Sequence, residues 1–215
     1  MKKVEVIFDA CYLLICLGVG IFLFQTAQFL GLRWAFSMIV FLLLAGDSFH
    51  LIPRIFVLLG YNNSKNQRML GVGKFVASIT MSLFYLGLWE IGIRYYSLIP
   101  GFGMTFFLYS CIAIRILLCI MPQNEWLNKS PSVTWGIYRN LPFVIAGIQV
   151  MLLYLFGAVT KGGNLSYLWI AIGVSFLCYI PVVLFAQKHP KVGMLMLPKS
   201  CAYVAIIIMG YAIVP

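Results

Sequence analysis

Long apolar runs alternate with short polar gaps along almost the whole chain. Seven runs, over residues 6–30, 34–51, 75–93, 102–120, 141–159, 167–185 and 195–214, come close to the length of a membrane span. A helix needs about 20 apolar residues, at roughly 1.5 Å rise each, to cross the hydrocarbon core of a bilayer. The runs lack the strict polar–apolar alternation that barrel strands require. The pattern therefore predicts an all-α polytopic bundle of seven transmembrane helices, forming a single unit over residues 1–215.

The charges fall mostly in the gaps, and they fall unevenly. Lys2, Lys3, Arg54, Lys65, Arg68, Lys74, Lys129, Arg139, Lys188, Lys191 and Lys199 group on one side, against Arg33, Arg94 and Lys161 on the other. Lysine and arginine concentrate in cytoplasmic loops, so the N-terminus is expected inside and the C-terminus outside, in a plasma or inner membrane. The first run is longer than the core of a signal peptide and has no small-residue cleavage site after it, so it reads as a retained helix. Trp34, Tyr95, Tyr96, Tyr167 and Trp169 at the outer ends, and Trp126 and Trp135 at the inner side, fit interfacial aromatic belts. The stretches 60–73 and 121–140 read as the longest loops, both on the inner side.

Composition agrees with this reading. The chain is 63% hydrophobic and 9% charged, whereas soluble domains carry about 25% charged residues. The net charge of +10 is spread over separate inner segments, which makes it a topology signal and argues against nucleic acid as a partner. Membrane lipids, including anionic headgroups, are the expected partners. Six cysteines lie in or beside the spans without a Cys-x-x-Cys pair, as buried free thiols do. Gly71-Val72-Gly73-Lys74-Phe75 lacks the first glycine and the Ser or Thr of a phosphate loop. No cofactor or metal site is expected.

The candidate chemistry lies in the polar residues within the spans, since a charge at the bilayer centre costs at least about 2.5–3.5 kcal/mol. Asp47, His50 and Arg54 are spaced i, i+3 and i+7, on one helical face. Arg115 lies at a similar depth in the fourth run, so an Asp47–Arg115 ion pair is expected, and Asp9 occupies a comparable level. Asn124, Arg139 and Lys199 sit below them at the inner face. The outer half carries Glu90 and Arg94, spaced i, i+4 as a local pair. The constellation is basic and opens inward. In an enzyme, His50 would be the general acid or base, Asp47 would orient it or activate water, and Arg54, Arg115, Arg139, Asn124 and Lys199 would bind the substrate. A packing role is the alternative: an ion-pair clamp between helices, with the bases contacting headgroups.

Leu44-Ala45-Gly46-Asp47, followed by Leu70-Gly71-Val72-Gly73-Lys74-Phe75 and Phe84-Tyr85-Leu86, resembles part of the YhhN/lysoplasmalogenase membrane family over residues 44–90. The resemblance implies hydrolysis of a lyso-ether lipid, with Asp47 matching an active-site carboxylate. Ceramidase-type lipid amidases are similar in being seven-helix hydrolases, but their zinc needs three histidines and this chain has only His50 and His189. A separate echo, Pro53 with Lys74 against Pro181 with Lys199, permits a three-plus-one-plus-three repeat, as in small-solute transporters.

Overall fold

The computed structural model describes residues 2–61, 63–128 and 131–213. Its helices are α1 (Lys2–Gln25), α2 (Leu32–Leu58), α3 (Ser64–Tyr96), α4 (Phe102–Ile120), α5 (Val133–Lys161), α6 (Leu168–Phe185) and α7 (Met196–Met209). A 3₁₀ segment, Pro190–Leu195, leads into α7 and a 3₁₀ turn, Gly210–Ala212, follows it, and the seventh span, Lys191–Ala212, runs through all three. No strand occurs among the described residues. All seven spans are long and apolar enough to cross a membrane.

Consecutive helices run up and down and pack on their sequence neighbours. α1 also meets α7, which closes the ring, and α3 touches α5 directly, leaving α4 towards the outside. The α2–α3 interface is the tightest. A Cβ at Gly46 would strike the Thr80 side chain, and one at Gly73 would strike the Phe49 carbonyl. Small residues let helix backbones approach closely in lipid, where association depends on packing rather than on expulsion of water. Pro53 lies inside α2 and has no N–H, so the carbonyl of Phe49 four residues earlier loses its usual helical donor. That same carbonyl faces Gly73, in the close approach that such oxygens accept. The helix therefore continues through the proline to Leu58, past the expected end at residue 51.

Two other boundaries also differ from the hydropathy reading. α3 begins at Ser64 rather than at 75, where the Asn63 side chain accepts the Asn66 N–H at 2.8 Å. α5 begins at Val133 rather than at 141, with Ser132 accepting the Trp135 N–H at 3.4 Å. Capping side chains of this kind satisfy amide groups that have no helical partner. The first expected inner loop is mostly helical extension, so Gly71–Gly73 is helix, while of the second only residues 133–140 join α5. At 33 residues, or about 50 Å, α3 is far longer than the roughly 30 Å hydrocarbon core. In the other direction, α1 ends at Gln25 rather than 30, and the chain turns with Leu30 at φ 62°. Lys129 lies outside the described residues.

The half of the bundle remote from the N-terminus is filled. Phe36, Leu88, Trp89, Tyr154, Leu168 and Ile206 have no exposed surface. Tyr96 belongs to this core at 2% exposure, so it is not a belt residue. The remote end is tied by Arg33, which donates to the carbonyls of Ile213 (2.7 Å) and Tyr211 (3.0 Å) and to Thr26 Oγ1 (3.1 Å). Nearby, Asn164 donates its side-chain amide to the Ala212 carbonyl at 3.1 Å.

Candidate functional site

At the lysine-rich end the bundle opens into a cavity of about 530 Å³ to which all seven helices contribute. Pockets of roughly 300–1,000 Å³ accommodate small ligands. Asp47, His50 and Arg54 line it from α2, as their spacing on one face predicts. Lys74 comes from α3, Arg115 from α4, Arg139 and Asn140 from α5, Tyr179 from α6 and Lys199 from α7. The close approach at Gly73 sets His50 beside the Lys74 turn of α3, and that at Gly46 sets the Asp47 turn beside Thr80.

The expected Asp47–Arg115 ion pair does not form. Asp47 instead accepts the Tyr12 hydroxyl at 2.6 Å, through Oδ2. Lys199 is the cation whose charge acts on Asp47. Arg115 turns to Phe143, with its guanidinium carbon 3.3 Å from the ring centroid. Depth along each helix was readable from the sequence, but the direction of each side chain around its axis was not. The expected Glu90–Arg94 pair is also replaced: Glu90 accepts the Tyr109 hydroxyl of α4 at 2.6 Å. The ion pairs among the described residues are those of Arg54, which binds Glu5 at 2.7 Å and Asp9 at 2.8 Å. Arg54 reaches both Asp9 oxygens through one nitrogen, and Asp9 is 2% exposed.

Asn124 serves the site indirectly. It is buried, its amide donates to the carbonyls of Leu118 in α4 (2.5 Å) and of Met121 just after it (2.9 Å), and its Oδ1 accepts from Arg139 at 2.8 Å. Arg139 also lies over the Trp126 ring at 4.3 Å, and the Trp126 indole donates to the Cys119 carbonyl at 2.9 Å. Trp126 is thus cavity wall rather than belt. Lys199 sits 5.0 Å from the Tyr179 ring and 4.9 Å from that of Tyr203. Aromatic faces attract cations, and the effect grows as water is removed.

Five cations (Arg54, Lys74, Arg115, Arg139 and Lys199) line the cavity against two carboxylates, Asp9 and Asp47. Asp9 is already matched by Arg54, which leaves four cations facing one carboxylate. Arg115 is 2% exposed, and its Nε and Nη1 have no hydrogen-bond partner. The His50 Nδ1 is likewise buried without a partner. Buried polar groups almost always find partners, so these atoms at the cavity wall are open to a ligand or to water; buried atoms of Tyr85, Trp89, Tyr96 and Gln149, away from the cavity, also lack one. The arrangement can hold an anion between Arg115, Arg139, Lys74 and Lys199, with Asp47 and His50 on the adjoining wall.

No group of three or more His, Cys, Asp or Glu side chains suited to a metal ion occurs among the described residues. His189 is exposed and away from the cavity lining. Sequence reasoning passed over Tyr12, Lys74 and Tyr179 as site residues. Tyr12 could have been noticed, since it lies one turn after Asp9 on α1. Comparison with known protein families, with characterised proteins and with solved structures finds no match to this chain.

Proposed function

We propose that the cavity takes the anionic headgroup of a membrane amphiphile, and that the protein is a hydrolase of a lysolipid or ether lipid. The observation that carries this reading is the one-sided cavity. Unpaired Arg and Lys side chains share it with a carboxylate and an imidazole, while the opposite half of the bundle is packed with buried aromatic and aliphatic side chains. Arg115, Arg139, Lys74 and Lys199 hold the phosphate, since charge-assisted bonds from fixed cations are the strong ones. His50 acts as general acid or base from the cavity wall, where its Nδ1 has no hydrogen-bond partner. Asp47, steadied by Tyr12, orients the water. The resemblance of residues 44–90 to the YhhN/lysoplasmalogenase family points to the same reaction class, with Asp47 as the shared carboxylate. By the distribution of Lys and Arg, the cavity faces the cytoplasm.

The test is purified protein incubated with lysophospholipids and ether lipids, with products read by mass spectrometry. Turnover is expected, reduced about 100-fold or more in His50→Ala and Asp47→Asn, the usual contribution of acid–base groups. If no lipid is cleaved while proteoliposomes accumulate an anionic solute in a His50-dependent way, the cavity is a transport site and the hydrolase reading is wrong.

A further inference from the structure

A second hollow, of about 200 Å³, lies between α5 and α6 and presents an apolar surface. Its walls are Ile137, Leu141 and Val144 on α5, and Ile180, Val183 and Leu184 on α6. Asn140, Tyr179 and Val183 border both this hollow and the basic cavity, so the two adjoin at those side chains. Ile137, Leu141 and Leu184 are exposed, which places the groove on the face turned to lipid.

The two hollows together have the polarity of an amphiphile: cations at one end and hydrocarbon at the other. At the junction the Tyr179 hydroxyl donates to Asn140 Oδ1 at 2.7 Å, and the Asn140 amide donates to the Gly136 carbonyl at 2.8 Å. Both polar residues at the boundary are therefore satisfied by the protein and present no stranded group to a passing chain. A hydrocarbon chain in the cavity would leave its cations desolvated and unmatched, and a charged head in the groove would lose its own solvation. A lipid has one orientation that meets both conditions.

We propose that the α5–α6 groove is a lateral portal that holds the hydrocarbon chain of a single-chain, phosphate-bearing lipid while its head occupies the basic cavity. This rests on the headgroup reading above. The groove is less than half the volume of the cavity, so it takes a stretch of one chain and leaves the remainder in the bilayer.

The experiment uses the full-length protein in phosphatidylcholine nanodiscs with two probes. One is a lysophosphatidate carrying a photoreactive diazirine on its chain; the other is glycerol 3-phosphate, the head alone. Crosslinks are expected in the peptides spanning residues 137–144 and 180–184. Val144→Trp and Leu184→Trp, which fill the groove with apolar bulk, should weaken lysophosphatidate binding at least tenfold and leave glycerol 3-phosphate binding within twofold. The crosslink map of the unaltered protein does not depend on how the variants fold. Crosslinks confined to other helices, or tryptophan variants that bind the lysolipid normally, overturn the portal and leave the headgroup reading standing. If the unaltered protein binds neither probe, the headgroup reading falls and the portal with it.

Discussion

Arg115 brings a cation into the bundle with two of its nitrogens unpartnered, compensated mainly by the face of Phe143. Buried charges are often less stabilising than well-packed apolar groups of the same size. Arg115→Met should therefore leave the unfolding temperature unchanged or raise it, while anion binding in the cavity falls at least tenfold. Thermal unfolding in detergent, paired with phosphate titration, reads both. A variant that unfolds several degrees earlier would mean that Arg115 is there for packing. Tyr12 offers a second test at this scale. Tyr12→Phe removes the hydrogen bond to Asp47, the kind of bond worth about 1.5–3 kcal/mol when its partner is charged. A double-mutant cycle should find Tyr12 and Asp47 coupled by more than about 0.5 kcal/mol and Asp47 and Arg115 additive within that margin. The reverse outcome would restore the ion pair that the sequence suggests.

Among the elements, α2 and α3 decide the shape of the site. Gly46 and Gly73 let the two backbones meet, Pro53 frees the carbonyl that Gly73 receives, and in consequence His50 is held beside the Lys74 turn and the Asp47 turn beside Thr80. Gly73→Ala already meets backbone, which cannot give way as a side chain can, and should cost about 1–3 kcal/mol. Gly18→Ala, inside α1 with nothing within 4 Å of the added carbon, should be neutral or stabilising by up to about 1 kcal/mol. Folded yield by size-exclusion chromatography compares them, and equal tolerance at the two positions would contradict the packing described. The glycines of the Gly-Asp pair and of the Gly-rich opening to α3 could be read from the sequence as a motif. Their role as contact points could not, because it exists only once the second helix is in place.

For the molecule as a whole, the two ends of the bundle have different tasks. One is an open basic cavity; at the other, Arg33 gathers the carbonyls of Tyr211 and Ile213. Arg33→Gln should lower stability by about 0.5–1.5 kcal/mol, the net worth of hydrogen bonds that are exposed or half-buried. Ligand binding in the cavity should be unaffected. Loss of binding at unchanged stability would show that the ends are coupled in some other way. The distribution of Lys and Arg further predicts that Ser64→Cys is protected from membrane-impermeant thiol reagents in intact cells, while Asn164→Cys is labelled. Labelling at Ser64 would invert the orientation and turn the cavity outward.

The sequence by itself determined the helical class, the seven spans, the segregation of Lys and Arg, and the common face of Asp47, His50 and Arg54. These depend on composition and helical period, which are local properties of the chain. The limits of α3 and α5 escaped the hydropathy pattern, because their polar first turns are held by side-chain caps and extend beyond the apolar stretch. Only the tertiary structure decided the partners. Asp47 meets Tyr12, Arg54 meets Asp9, and Arg115 meets Phe143. Which residues meet depends on how each helix is rotated about its axis, and that rotation is set by the packing of all seven helices together.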